Sequence, residues 1–175
     1  MGTQKGQGAS VLYLDYDGAL HHENCWMDPK RGPYLQAPER YVLFQHVDLL
    51  LELLAPYPSV RIVLSTSWVR RFGIAGTTKW LPASLRERVI GATYLSRRAR
   101  EGSAPVTRGE QVTQDVLRRR PANWFAIDDD QIGWPEWARP RVVFSDPYEG
   151  ISPPEVQDAI RRQLSAMAQK TGTQA

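Results

Sequence analysis

Two aspartates, Asp15 and Asp17, stand one residue apart at the end of an apolar run in VLYLDYDGAL, residues 11–20. Carboxylates so placed can act as a nucleophile, as a proton donor and acceptor, or as ligands for a hard cation. Three other short apolar runs end the same way. Ser65-Thr66-Ser67 follows residues 60–64, Asp128-Asp129-Asp130 follows 124–127, and Ser145-Asp146 follows 142–144. Taken singly, none of these groups is specific. Asp-Gly is also a common turn pair, and acidic runs usually face water. The Asp15–Gly18 stretch is not a calcium loop, because the further acidic positions and the closing glutamate are missing.

The elements around these groups give them a common place. Residues 11–14, 60–64, 124–127 and 142–144 are apolar almost throughout, as expected of strands covered on both faces, and 92–95 is a weaker candidate. Helical spacing lies between them. PERYVLFQHVDLLLELLA predicts a helix opening at Pro38, and PASLRERVIG predicts a short one ending at Gly91. TRGEQVTQDVLRRRP opens on a capping box, Thr107 to Glu110. SPPEVQDAIRRQLSAMA opens on a second, Ser152 to Glu155, with Pro153 at the first helical position. Strands alternating with helices predict the α/β class with a central parallel sheet. In such sheets ligands bind beyond the carboxyl ends of the strands. All four polar groups would then meet at one edge. Carboxylates crowded there need a cation to stay ionised together, and a hard one with oxygen ligands, Mg²⁺, suits them.

The ordered set resembles the haloacid dehalogenase (HAD) superfamily of aspartate-nucleophile phosphatases. LYLDYDGAL resembles its first motif, IVLSTSW its second and WFAIDDD its fourth, and VVFSDPYEGIS is similar to the closing strand and turn. The short STSW and IDDD forms look most like the small HAD domains associated with RNA-repair proteins. The resemblance implies a three-layer, Rossmann-like fold with a minimal cap and a Mg²⁺-dependent phosphatase acting through an aspartyl-phosphate. Asp15 would be the nucleophile and Asp17 the acid and base. Ser65 would hydrogen-bond the phosphoryl oxygens. Asp15, the main-chain carbonyl of Asp17, and Asp129 would hold the metal, with Asp128 joining or orienting them. The family's third motif is a lysine; here the position falls on Arg108, a bulkier and geometrically fixed cation. Lys79 is an outside candidate in the wrong segment. Gly18, His21, Thr66, Ser67 and Arg70 are the expected substrate contacts.

The 175 residues fit one domain, with 42% hydrophobic and 23% charged residues. That domain is expected over 10–167, between a flexible leader (1–9) and a flexible tail (168–175). No apolar run is long enough to span a membrane, and the first residues lack the apolar core of a secretory signal. A single cysteine, Cys25, excludes an internal disulfide, and the chain is expected in the reducing cytoplasm. Arginines cluster at 70–71, 97–100, 118–120 and 161–162. They read as solvated helix faces or as phosphate contacts. Residues 19–37 are too few for a cap domain and predict a short flap, leaving a site open to a large substrate. His21, His22, Glu23 and Cys25 fit no standard zinc spacing. Trp26 and Tyr34 in the flap are read either as a base-stacking pair or as packing. The phosphorylated substrate would be a nucleotide or a nucleic-acid end, although a net charge of +3 is low for a strong nucleic-acid binder. A weakly catalytic binding module and a phosphotransferase are the alternatives.

Overall fold

The computed structural model describes residues 5–93 and 106–172. Five parallel strands form the central sheet: β1 (Ser10–Leu14), β4 (Arg61–Leu64), β5 (Val89–Ala92), β6 (Asn123–Asp128) and β7 (Val142–Phe144). Their order is β5-β4-β1-β6-β7. The register aligns Leu14 with Leu64 on one side and with Ile127 on the other. Asp15, Ser65 and Asp128 therefore leave neighbouring strands at the same level.

Side-chain alternation splits the core into two layers. Leu12, Leu14, Ile62 and Leu64 join the larger core under α1 (Val47–Leu54), α3 (Ala83–Arg86) and α5 (Pro154–Gly172). This core also takes in Trp68 and Val69 from the start of α2 (Trp68–Thr78). Val11, Tyr13 and Val63 face the other way, into a smaller core under α4 (Arg108–Arg119). The result is the expected three-layer, Rossmann-like α/β arrangement. Residues 19–37 contain an antiparallel hairpin, β2 (Cys25–Asp28) and β3 (Gly32–Leu35), in place of a cap domain.

Several elements depart from the sequence pattern. The helix expected from Pro38 begins only at Val47. Phe44 adopts a left-handed conformation (φ 59°), and the His46 N–H bonds to the Leu20 carbonyl, so 38–46 form turns that close on residues 20–21. The helix expected to reach Gly91 stops at Arg86, because pairing with β4 draws Val89–Ala92 into the sheet. α2 had no clear sequence signal; it is broken at Gly73, and glycines at 73 and 76 dilute its apolar spacing. α5 starts at Pro154, and the Ser152 hydroxyl donates to the Glu149 carbonyl. Helix α5 continues through 168–172, read above as tail. The described part of the leader is tied down: Gly8 N–H bonds to the Arg120 carbonyl, and Arg119 donates to the Lys5 carbonyl. The arginines at 97–100 and residues 94–95 of the weak strand candidate lie outside the described residues. Among the described residues, no helix is long and apolar enough to cross a membrane.

Candidate active site

The carboxyl edge of the sheet gathers the polar residues that end β1, β4 and β6. Asp15 is buried, and its Oδ1 accepts the Tyr16 N–H at 2.7 Å. Asp128 is fully buried at the end of β6. Asp15, Asp128 and Asp129 each bring a carboxylate oxygen to within 4.8 Å of the others. Asp129 closes over the Asp17-Gly18 turn. Gly18 has φ +68°, and a Cβ there would lie 2.3 Å from the Asp129 carboxyl carbon. Only glycine accepts both the backbone angle and that approach. The Gly18 carbonyl accepts the Ser145 hydroxyl at 2.6 Å, which pins the turn to the end of β7.

Arg108 reaches this acidic group from α4. Its Nη2 lies 3.5 Å from Asp15 Oδ2, and its Nε lies 3.6 Å from Asp128 Oδ2. The helix start is fixed twice. The Thr107–Glu110 capping box satisfies its first turn. Gly109 packs on the turn at Gly133, where a Cβ would meet the Gly133 carbonyl carbon at 2.4 Å. Arg108 thus stands beside Asp15, the place where the sequence pattern departs from lysine. Lys79 is exposed at the C-cap of α2.

The electrostatics show strain. Burial, followed by the negative charge of Asp15, pushes Asp129 up to about 7. The same two causes, in the same order, raise Asp128 well above the carboxylate range. Burial also raises Asp15, opposed by Arg108 and reinforced by Asp17. Burial works against the Arg108 charge, but Asp15 and Asp128 outweigh it and hold that guanidinium firmly protonated. One cation thus pairs with two members of a group of three carboxylates that burial disfavours as anions. Asp128 Oδ2 is buried without a hydrogen-bond partner. The donor set is all oxygen, under-neutralised and incompletely bonded, which fits a hard dication.

Asp17 is held on another side. Its Oδ1 lies 3.0 Å from His21 Nε2, and the Trp68 indole N–H donates to both oxygens, at 3.0 and 3.2 Å. Cys25 joins Asp17 and His21 within 4.8 Å. Burial and then Asp17 push the Cys25 thiol up to about 12, so it remains protonated. The Asp17 carboxylate does not belong to the acidic trio.

The expected substrate contacts divide. Ser65 Oγ is buried at the edge without a hydrogen-bond partner. Thr66 is buried beside it; its hydroxyl accepts the Trp68 N–H at 3.4 Å and helps hold Asp15 down. Ser67 is exposed at the N-cap of α2, and Arg70 is exposed one turn later. His21, the remaining expected contact, has no exposed surface, and its ring faces Asp17. Trp68 reads in the sequence as core alone; its second role as a donor to Asp17 has no local signal. Asp130 caps its own turn through Ile132 N–H, as its position suggests.

The geometry agrees with a comparison of families. The family described as the HAD domain in Swiss Army Knife RNA repair proteins matches residues 11–156. The chain belongs to this family. No curated protein and no solved structure matches it. The HAD match runs from β1 into the first turn of α5, so it covers all five strands of the sheet and every residue of the edge just described.

Proposed function

We propose that this HAD domain is a Mg²⁺-dependent phosphatase of the cytoplasm that removes phosphate from nucleotide or nucleic-acid ends through an aspartyl-phosphate. The observation that carries the reading is the group of Asp15, Asp128 and Asp129 facing Arg108 at the sheet edge of a HAD domain from RNA-repair proteins. Asp15, the Asp17 carbonyl, Asp128 and Asp129 would hold Mg²⁺, which when bound neutralises charge on the phosphoryl group and on the carboxylates.

In the first step an Asp15 oxygen attacks phosphorus, and the ester P–O bond breaks as Asp17 protonates the leaving oxygen. In the second, water attacks the aspartyl-phosphate while Asp17 takes its proton, which releases phosphate and restores Asp15. Arg108 stabilises charge on the transferring group. The Ser65 hydroxyl, free of protein partners, donates to a phosphoryl oxygen. Arg70, exposed near the edge, and Thr66 and Ser67 beside Ser65 supply further contacts.

The test is release of phosphate with and without Mg²⁺ across nucleotides, sugar phosphates, phosphopeptides and 5′- or 3′-phosphorylated oligonucleotides, with Asp15→Asn as control. Full activity in Asp15→Asn removes the nucleophile assignment. A strong preference for mononucleotides over oligonucleotide ends removes the end-processing assignment. Transfer to an added alcohol in place of water marks a phosphotransferase.

A further inference from the structure

Resting on the phosphatase reading, we propose that His21 is a positioning residue that, together with Trp68, locks the carboxylate of Asp17 for proton delivery. His21 is fully buried, whereas the Asp17 side chain keeps 27% of its surface exposed. The imidazole therefore grips the carboxylate from the protein side and leaves the open side to substrate.

The hydrogen bonds fix the tautomer. The Phe44 N–H donates to His21 Nδ1 at 3.3 Å. Nδ1 is then the acceptor nitrogen, and the ring proton sits on Nε2, aimed at Asp17 Oδ1 3.0 Å away. Phe44 is one of two non-glycine residues with positive φ among the described residues. The strained residue is therefore the one whose N–H meets His21. The Phe44 ring packs edge-on against His21 (centroids 4.8 Å apart), and Trp68 lies 5.8 Å from the imidazole. The imidazole is enclosed by aromatic rings and by Asp17.

The same geometry disfavours a metal at Asp17, His21 and Cys25. A cation on Nε2 would move the ring proton to Nδ1, where it would oppose the Phe44 N–H. The Trp68 N–H already occupies both Asp17 oxygens. His21 and Trp68, from different elements, hold the carboxylate by three hydrogen bonds, and the protonated Cys25 thiol also bonds to it. Trp68 opens the helix after Ser65, and His21 lies one turn beyond Asp17. An acid that must pass its proton along one line gains from a side chain that cannot swing away.

Leaving-group dependence separates positioning from a merely structural role. A poor leaving group needs the proton in the transition state, and 4-nitrophenolate hardly does. His21→Leu is expected to lower kcat/KM, which reports the step that breaks the ester bond, on a phosphorylated alkyl alcohol about 100-fold more than on 4-nitrophenyl phosphate, a size general-acid catalysis commonly supplies. His21→Gln, whose amide can restore a donor, should recover most of the difference. Trp68→Phe, which keeps the ring and loses the donor, should show the same signature and serves if His21→Leu fails to fold. Equal losses of kcat/KM on both esters overturn the proposal. The ring tautomer, read by ¹⁵N NMR, is independent of activity: a neutral Nε2–H form is expected, and an Nδ1–H form overturns the clamp. If the wild-type protein hydrolyses neither ester, the phosphatase reading fails, and the tautomer alone decides whether His21 grips Asp17.

Discussion

Two buried ionic clusters stand on the sheet, and they are built oppositely. Beneath α4, the Tyr13 hydroxyl donates to Asp115 Oδ2 at 2.9 Å, and Arg119 Nε donates to the same oxygen at 2.7 Å. Arg119 Nη2 and Arg118 serve the other oxygen. Every acceptor is used and two guanidiniums face one carboxylate. At the carboxyl edge, one guanidinium lies 3.5 Å from Asp15 and 3.6 Å from Asp128, Asp129 adds a third carboxylate to the same group, and Ser65 Oγ and Asp128 Oδ2 have no hydrogen-bond partner. Buried polar groups in a structural network are satisfied; groups left short of partners are held for something that binds. The first cluster fastens α4 and the leader to the sheet. The second leaves charge and hydrogen-bonding capacity uncompensated, in a group that could hold a metal ion.

The comparison breaks if both clusters respond alike to mutation. Asp15→Asn should lower phosphatase activity by about 1,000-fold or more, measured as steady-state phosphate release. Its thermal stability should be unchanged or higher, since one crowded charge is gone. Arg108→Ala should lose about 100-fold in activity, in the range found for a lost charge-stabilising donor, while Arg108→Lys retains more. Asp115→Ala should do the reverse. It leaves Tyr13 and Arg119 buried without their partner and should lose about 3–5 kcal/mol in denaturant unfolding, with activity per folded molecule kept.

Smaller effects sharpen the contrast. Mg²⁺ should raise the melting temperature of the wild-type protein by a few degrees at millimolar concentration, and chelator should reverse it. Asp129→Asn should weaken that response, and Asp115→Ala should preserve it. The metal-free protein should also gain stability as pH falls. Asp129 titrates at about 7 when folded but near the ordinary carboxylate value when unfolded. Between those values the folded state binds the extra proton, so stability rises as pH is lowered from neutral toward the unfolded pKa. The raised Asp15 and Asp128 act in the same direction. A melting temperature that falls steadily over that interval would contradict the assignment, and saturating Mg²⁺ should flatten the slope.

How much of this could be read in advance depended on the range of the forces involved. The four principal strands and α4 were legible because apolar runs and a capping box are local. The convergence of Asp15, Ser65 and Asp128 followed from one rule about parallel sheets. The helix expected at 38–46 was not legible as turns, because contacts with residues 20–21 overrode its spacing. The strand at 89–92 was hidden for a similar reason: its partner lies in β4.

The sequence by itself determined the class of fold, the order of the motifs, and which residues could carry charge to one edge. Those properties reside in residue type and spacing. Tertiary structure decided that Arg108 reaches Asp15 and Asp128, because the packing of Gly109 on Gly133 and of Asp115 on Tyr13 sets the height of α4. It also decided that His21 faces Asp17 and not solvent. A histidine in a loop carries no local sign of its partner; burial beneath Phe44 and Trp68, from two other segments, supplies it.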